Sequence, residues 1–402
     1  MPYTRFTAYL YRITFNTMSH LAFFSDNHWA ALHPFGNSYA HGHLRVGAFK
    51  LSEWWSREAR SFFLNAEQKT KANVLHLLKN GKLNDRWIPS EHAFSILARL
   101  NPEQSLYADG TLLFQPSTER EAQPLHVGKD GIELIAHATE LFSRLNGWLN
   151  DQRKFLIDAW ELEAPNVPQH VSLIGPTDQI WIHPSATLTA CTLNATSGPI
   201  FIGPDVEIQE GAHIRGPLAI GEATVIKMGT RIYGPTSIGP NCRIGGEVSN
   251  CAFLGYSNKG HDGFLGNSVI GKWCNLGADT NSSNLKSNYS NVRLWNEATA
   301  TYVDSGLQFC GVLMGDHSKC GINTMFNTGT IVGAGCNIFG CGFQPKQIPA
   351  FAWGGNETWE LHTFDKFIAT AQRVMERRGA TLSEEEISHW RAQHEAARAR
   401  FD

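Results

Sequence analysis

The stretch "IFIGPDVEIQEGAHIRGPLAIGEATVIKMGTRIYGPTSIGPNCRI", residues 200–244, decides the fold, because isoleucine returns in it at every sixth position. A helix repeats every 3.6 residues and a strand every two, so neither explains a period of six. A parallel β-helix does: each six-residue unit forms a short strand and a turn, and three units complete a coil. The repeated isoleucines are Ile202, Ile208, Ile214, Ile220, Ile226, Ile232, Ile238 and Ile244.

A second position of the repeat supports this interpretation. The residue four places after each isoleucine is nearly always small, which suits a tight corner between two strands. Each isoleucine would point inward and stack on its equivalent one coil away. Because one coil cannot bury its own interior, stacking of the coils is obligatory, as in any solenoid.

The repeat has limits along the chain. Upstream the spacing extends back to Ile182, and downstream it breaks between Ile244 and Leu265. An irregular segment, residues 280–309, interrupts it again, and we expect this segment to project from one face and to serve function or partner contacts. The period then returns at Met314, Cys320, Phe326, Val332 and Ile338.

The regions that flank the repeat differ from it in composition. The N-terminal region combines strand and helix patterns with a hairpin that turns at Asp109-Gly110. The charged C-terminal region predicts helices, one of them with Ser383 as its N-cap. The predicted domains are an α/β domain (1–150), a linker (151–178), the β-helix (179–355) and C-terminal helices (356–402).

Composition excludes several classes of function. A net charge of −3 and the lack of a basic run argue against a nucleic-acid partner. The chain has no apolar run of 18 residues, and its first 24 residues lack the pattern of a signal peptide, so we expect no membrane span. Met1 and Met18 both remain possible start residues. The eight cysteines form no C-x-x-C pair, which indicates reduced thiols, a cytoplasmic location and no metal site.

The stretch "NKGHDGFLGNSVIGKWCNLGADTNSSN", residues 258–284, resembles a known family. The period of six is similar to that of the left-handed β-helix, hexapeptide-repeat acyltransferases. Within them, the Gly-His pair and the spacing that follows it resemble the acetyltransferase half of the bifunctional N-acetylglucosamine-1-phosphate uridyltransferase/glucosamine-1-phosphate N-acetyltransferase family. Together with "LRVGAFKLSEWW", residues 44–55, it also resembles a variant branch of sugar nucleotidyltransferases, with a diverged nucleotidyltransferase-like domain before the β-helix.

The resemblance implies an acetyl-CoA-dependent N-acetyltransferase that acts on an amino-sugar phosphate in nucleotide-sugar and cell-envelope precursor synthesis, assembled as a homotrimer. His261 would be the general base, since a neutral imidazole can take the proton of the attacking amine. Asn275 would contact the amino sugar, and Phe264 stands where the family has a tyrosine that contacts the substrate. The coenzyme-binding candidates are Asn284, Asn288 and Asn323.

The remaining candidates are charged or aromatic residues near this stretch. The sugar phosphate needs a cation, and Lys259, Lys272, Lys286 and Arg293 are all possible. Asp279 is a substrate-binding candidate; alternatively it and Asp262 orient His261 or bind turn amides. The pair Asp316-His317 is read as an interface or pocket element. Trp273 and Trp295 are interpreted as contacts between coils or subunits.

Departures from the family leave alternatives open. Ser249 stands in the place of a phosphate-binding lysine and Ile322 in that of a serine near the coenzyme, which leaves the acceptor sugar open. The loop "SDNHWAALHPFGNS", residues 25–38, has one glycine, Gly36, and no basic residue. Such a loop is poorly suited to bind the phosphates of a nucleotide through its backbone N–H groups. We therefore expect Mg²⁺ only if this domain is an active nucleotidyltransferase.

Three other functions compete with N-acetylation. The chain could be a sugar-1-phosphate nucleotidyltransferase whose β-helix only assembles the oligomer, or an acyltransferase for another sugar nucleotide. Binding of acetyl-CoA separates the first of these from an acetyltransferase. A zinc-dependent carbonic anhydrase of this fold needs two histidines five residues apart, and the histidines of the repeat region lack that pair.

Overall fold

The computed structural model describes residues 21–35, 42–118, 122–356 and 358–401. The candidate start residues Met1 and Met18 and the loop residue Gly36 lie outside these ranges. Contacts divide the chain into two compact units, one formed by residues 1–29 and 39–136 and the other by residues 30–38 and 137–402.

The first unit is an α/β region. Its sheet has mixed strands in the order Ala22–Phe24, Gly81–Asn84, Thr111–Pro116, Gln104–Ala108 and Gln123–Val127. Asp109 (φ 43°) and Gly110 (φ 77°) both adopt left-handed backbone, which confirms the predicted tight turn of the hairpin. The unit also contains the antiparallel pair Arg45–Val46 and Phe49–Lys50, and the helices Leu51–Asn65, Gln68–Lys79 and Glu91–Leu97; a 3₁₀ helix, Asn27–Leu32, begins in it.

The boundary between the units differs from the prediction at residue 150. The helix Leu145–Ala159 runs across that point and belongs to the second unit, preceded by the short helix Glu140–Ser143. Trp148 and Leu156 are buried on one side of the longer helix, so its apolar face continues through residue 150. The predicted linker also contains the first strand of the solenoid, Ser172–Ile174, and a 3₁₀ turn, Thr177–Gln179.

The second unit is a parallel β-helix with three sheets, which we call faces 1, 2 and 3. In the described residues, face 1 consists of Thr187–Leu188, Glu207–Ile208, Val225–Ile226, Arg243–Ile244, Asn258–Lys259, Asn275–Leu276, Lys319–Cys320, Asn337–Ile338, Ala352–Gly354 and the antiparallel Trp359–Leu361. Face 2 consists of Ser172–Ile174, Thr192–Asn194, His213–Arg215, Arg231–Tyr233, Glu247–Ser249, Phe264–Gly266, Asn281–Ser282 and Met325–Phe326. Face 3 consists of Ile180–Ile182, Ile200–Ile202, Leu218–Ile220, Thr236–Ile238, Ala252–Phe253, Val269–Ile270, Leu313–Met314, Ile331–Val332 and Gln347–Ile348.

Isoleucine columns fill the interior of the coils. On face 1, Ile208 pairs with Ile226 and Ile226 with Ile244, all in parallel register and fully buried. Equivalent columns rise inside the other two faces and join one continuous apolar core. The predicted fold class, an α/β region followed by a parallel β-helix and C-terminal helices, is therefore confirmed.

The break in spacing after Ile244 does not interrupt the pairing of the strands. Lys259 pairs with Ile244 on face 1, and Ser282 pairs with Leu265 on face 2, so both polar residues occupy inward positions of the ladder. The coil is also shorter there: eighteen residues separate Ile226 from Ile244, but fifteen separate Ile244 from Lys259. A search for apolar residues at a fixed spacing misses such a coil.

The segment 280–309 is more ordered than its sequence predicts. Asn281–Ser282 is still a strand of face 2, and the inserted residues contain an antiparallel hairpin, Arg293–Asn296 with Thr301–Asp304. Trp295 and Tyr302 pack edge to face across this hairpin, and the Trp295 indole donates to Glu297. Trp295 is therefore part of the hairpin's own packing.

Two helices follow the solenoid, Phe364–Glu376 and Glu384–Arg398. Ser383 caps the second one, and its hydroxyl accepts from the backbone N–H of Glu386, as predicted. An aromatic cluster that includes Phe351, Phe367 and Trp390 joins the helices to the last coils. Over the part of the chain that the structure describes, no helix has the length and hydropathy needed to cross a bilayer.

Candidate active site

A cleft of about 730 Å³ lies between the outer side of face 1 and the end of the helix Phe364–Glu376. Both of its walls belong to the second unit. The cleft is lined by Lys227, Arg243, Tyr256, Asn258, Gly260, His261, Trp273, Cys274, Asn275, Leu276, Gly277, Ala278, Lys319, Ile322, Val374, Arg377 and Arg378.

The floor of the cleft is a row of outward side chains on neighbouring strands of face 1. Each member directly precedes an inward ladder residue, and side chains alternate between the two sides of a strand. Parallel pairing in register then places the members one above the other, at the spacing of strands in a sheet. The row consists of Arg243, Asn258, Asn275 and Lys319.

Aromatic rings form one edge of the cleft. Tyr256 stacks on Trp273 with ring centroids 4.3 Å apart, and Trp273 stacks on His317 at 6.3 Å. All three have left-handed φ values and occupy the same corner of successive coils. Trp273 is thus a contact between coils, as predicted.

His317 belongs to the packing of the C-terminal helices. Its ring meets Phe367 and Trp390 edge to face, and Nδ1 has no hydrogen-bond partner among the residues that the structure describes. Burial holds the pKa of His317 well below its usual value, and the nearby cations Lys319 and Lys272 add to this. A ring that stays neutral and enclosed by aromatic groups is a packing element here.

His261 lies in the turn that follows the strand Asn258–Lys259, and its side chain is exposed on the cleft. The imidazole makes no hydrogen bond to another described residue, so both ring nitrogens can meet a ligand. Neither Asp262 nor Asp279 contacts the ring through a hydrogen bond. Instead the Asp279 N–H donates to the Asp262 carbonyl at 3.1 Å, which links the turns of two coils.

Asn275 is held by a chain of polar contacts that crosses the cleft. Its Oδ1 accepts from Asn258 Nδ2 at 3.3 Å, and Asn258 Oδ1 accepts from Arg378 Nη2 at 3.1 Å. The Asn275 amide NH₂ has no partner among the described residues. It is therefore available to donate to a ligand oxygen.

The charged side chains that line the described cleft are all positive. In the described residues no carboxylate lines it, and the cations that do are Lys227, Arg243, Lys319, Arg377 and Arg378. Burial lowers the pKa of Lys319, and burial together with the charge of Arg243 lowers that of Arg378. Clustered cations that repel one another and are partly desolvated favour an anionic ligand.

Lys259 does not lie in the cleft, although the sequence makes it a candidate for binding the sugar phosphate. Its side chain points into the coil and is 1 % exposed. Nζ donates to the carbonyls of Gly245 and His261, each at 2.9 Å. Burial lowers the pKa of Lys259 to about 8, against a smaller opposing effect of Asp262. Direct contact with a substrate in the cleft is excluded by this position.

The other predicted binding residues also lie outside the cleft lining. Phe264 is on face 2, where its N–H donates to Asn281 Oδ1 at 2.7 Å, and Asn284 Nδ2 donates to Asn267 Oδ1 at 2.8 Å. Both positions follow from the turn of the coil, which separates them from face 1. The remaining residues outside the lining are Lys272, Asp279, Lys286, Asn288, Arg293 and Asn323.

Several of these residues make hydrogen bonds within the turns of the coils and within the hairpin. The backbone N–H of Lys272 donates to Asp316 Oδ1 at 2.8 Å, and that of Asn323 to the Ala278 carbonyl at 2.8 Å. Asn288 Oδ1 accepts from the Ser290 hydroxyl at 2.9 Å, and Arg293 donates to the Tyr302 carbonyl within the hairpin. Asp316 thus ties two coils together beside the cleft.

Sequence reasoning missed all five of the Lys and Arg residues that line the cleft. Arg243 and Lys319 could have been found, since each directly precedes an inward ladder residue on the face that carries Asn275. Arg377 and Arg378 could not, because only the folding of the C-terminal helix against face 1 brings them to the cleft, where Arg378 contacts Asn258, 120 positions earlier. Within the described residues, no group of three or more His, Cys, Asp and Glu side chains could hold a metal ion.

Comparison with known proteins gives limited matches. No family model matches the chain. A stretch of 78 residues is 36 % identical to the bifunctional protein GlmU of Methanocaldococcus jannaschii; it covers 19 % of this chain and 18 % of that protein. The chain thus matches about a fifth of the length of this curated relative.

Solved structures give more extended but more distant matches. A hexapeptide transferase family protein from Anaplasma phagocytophilum is 16 % identical, with 57 % of this chain and 94 % of that one covered and a TM-score of 0.23. The UDP-N-acetylglucosamine acyltransferase from Campylobacter jejuni is 19 % identical, with 55 % and 82 % covered and a TM-score of 0.20. The polysialic acid O-acetyltransferase OatWY is 13 % identical, with 48 % and 87 % covered and a TM-score of 0.28. The fold assignment for this chain rests on its own strand pairing.

Proposed function

We propose that this chain transfers an acetyl group from acetyl-CoA to the amine of an amino-sugar phosphate similar to glucosamine-1-phosphate, with His261 as the general base. One observation carries the proposal: within the described part of the chain, an exposed histidine with unpaired ring nitrogens shares a cleft with Asn275 and with cations that no lining carboxylate neutralises. The local identity to the bifunctional protein GlmU supports the choice of acetyl transfer and sugar.

The chemistry needs one base and one group that stabilises negative charge. The unprotonated amine attacks the thioester carbon, a C–N bond forms, and the imidazole of His261 takes the amine proton. The tetrahedral intermediate carries an oxyanion, which the NH₂ group of Asn275 or a backbone N–H can stabilise. The C–S bond then breaks, and the proton on His261 passes to the sulfur of the departing CoA.

The cations of the cleft would bind phosphate. Arg243 and Arg378 lie on opposite walls, and guanidinium groups bind phosphate oxygens through charge-assisted, often paired hydrogen bonds. An amino-sugar phosphate fits the size of the cleft, since pockets for such ligands are typically about 300–1,000 Å³. We place the phosphate of the acceptor among these cations and its amine toward His261.

The test is release of CoA thiol by the purified full-length chain, with acetyl-CoA and glucosamine-1-phosphate, followed by mass measurement of the sugar product. We expect a product heavier by one acetyl group, and no release when the acceptor is glucosamine-1-phosphate already acetylated on nitrogen. Binding of acetyl-CoA without turnover on any amino sugar or UDP-sugar would contradict the proposal. Absence of acetyl-CoA binding would favour a β-helix that only assembles the oligomer.

A further inference from the structure

Lys259 occupies a position that the rest of its column gives to apolar residues. It follows Ile208, Ile226 and Ile244 inside face 1 and is 1 % exposed. Leu276 and Cys320 continue the column beyond it. An isoleucine or leucine would satisfy the fold at this point, because the interior here is the same continuous apolar core.

A charged side chain in this place is unfavourable by itself. Its burial lowers the pKa of Lys259 to about 8, which shows that the charged form is less stable here than in water. Residues that are unfavourable for folding, and yet are held by specific contacts, are typical of functional sites. The contacts of Lys259 therefore indicate what the residue does.

The ammonium group joins two turns from the inside of the coil. Nζ donates to the carbonyl of Gly245, which follows the strand of the preceding coil, and to the carbonyl of His261, each at 2.9 Å. Gly246 lies beside the ammonium group and has a left-handed backbone (φ 72°); a Cβ there would lie 2.8 Å from both Nζ and the Gly263 carbonyl oxygen. The turn therefore packs closely against the amine and the neighbouring backbone.

We propose that Lys259 is a positioning residue: from inside the coil it fixes the backbone of His261 and so holds the imidazole at the cleft. This proposal rests on the proposed role of His261 as the base. Lys259 does not touch the substrate, because its side chain is enclosed by the coil. Its effect passes through the carbonyl oxygen of His261.

The experiment compares Lys259→Met, which keeps the length and apolar stem but loses the donor, with Lys259→Gln, which keeps an N–H donor. Ile208→Val, three coils away in the same inward column, is the matched control. We expect Lys259→Met to lower kcat at least 30-fold with KM for both substrates within threefold, because a displaced base affects the chemical step and not binding. Lys259→Gln should recover part of kcat, and Ile208→Val should stay within twofold of wild type.

A second readout does not depend on activity. Hydrogen–deuterium exchange of the turn amides of residues 260–263 should be at least tenfold faster in Lys259→Met than in wild type, with the amides of the strands of faces 2 and 3 unchanged. If the wild type proved inactive on every amino sugar, the proposed function would fail, and this exchange alone would decide whether Lys259 holds the turn. Unchanged exchange, unchanged kcat in a folded Lys259→Met, or a loss confined to KM would each overturn the proposal.

Discussion

The coils of residues 200–244 and the coils of residues 247–282 share one architecture but differ in what they enclose. In the first region every inward position of face 1 is an isoleucine, and equivalent positions are eighteen residues apart. In the second region a lysine and a serine point inward, and the coil on face 1 shortens to fifteen residues. The candidate base, His261, belongs to the second region.

This difference shows how a solenoid can carry a site. The regular coils fix the direction of each strand, so the outward row of face 1 continues in register from Arg243 through Asn258 and Asn275 to Lys319. The irregular coils can then tolerate polar inward residues, because strand pairing on both sides already holds them in place. We expect the regular region to determine stability and the irregular region to determine activity.

The largest expected effect is on catalysis. His261→Ala should lower the rate of CoA release at least 100-fold, since general bases contribute about 10²–10⁴-fold. His213→Ala, an exposed histidine on face 2 of the regular region, is the control and should leave the rate within twofold. A folded His261→Ala with the wild-type rate would remove the functional contrast between the two regions.

The second effect is the contribution of the inward Lys259 to the pH dependence of the free energy of unfolding. The lysine keeps its proton up to its ordinary pKa of 10.5 in the unfolded chain but only up to about 8 in the folded chain. Between these values the unfolded chain binds more protons, so the free energy of unfolding rises with pH, in total by about 3 kcal/mol. Below pH 8 both states are protonated and this contribution is flat.

The measurement is urea unfolding of wild type and Lys259→Met from pH 7 to pH 10.5. The difference between the two cancels the other titrating groups, and wild type should gain about 3 kcal/mol on the variant across this range. If the difference in free energy of unfolding between wild type and Lys259→Met did not change with pH, the pKa of Lys259 would be the same in the folded and unfolded chain. The interior of the coil would then not disfavour the charged lysine.

The third effect tests whether the last regular strand of face 1 reaches the site. Arg243→Ala should raise KM for the sugar phosphate about tenfold with little change in kcat, because a charge-assisted hydrogen bond contributes about 1.5 kcal/mol or more. Arg215→Ala, on face 2 of the regular region, should leave KM unchanged. The increase in KM caused by Arg243→Ala should be smaller at about 200 mM salt than at about 50 mM, because salt screens the attraction between the arginine and the phosphate. Equal KM values for Arg243→Ala and Arg215→Ala would place the phosphate elsewhere.

The smallest effect concerns the inward serine. The Ser282 hydroxyl is buried at an inward position between Leu265 and Phe326, and no described residue forms a hydrogen bond with it. Ser282→Ala should therefore raise the free energy of unfolding by about 1 kcal/mol. Ile226→Ala in the regular region should lower it by about 2–5 kcal/mol, because it leaves a cavity. Destabilisation by Ser282→Ala, measured by urea unfolding, would show that the hydroxyl contributes to packing.

The sequence predicted the parts of this protein that depend on local periodicity. Isoleucine at every sixth position predicted the coils, Asp109-Gly110 predicted the tight turn, and Ser383 predicted the start of the last helix. Each signal depends on residues close together in the chain. The exposed positions of His261 and Asn275 at one cleft also agree with the pattern of the repeat.

The sequence by itself determined the solenoid, because a six-residue period of apolar side chains has few other ways to bury its inward positions. Only the tertiary structure decided which neighbours share the cleft. Phe264 and Asn284 lie within 25 residues of His261 in the chain but outside the cleft lining, while Arg378 comes from the turn after a helix more than a hundred residues later. The physical reason is the turn of the coil: adjacent six-residue units face different directions, and residues one coil or one folded-back helix apart become neighbours.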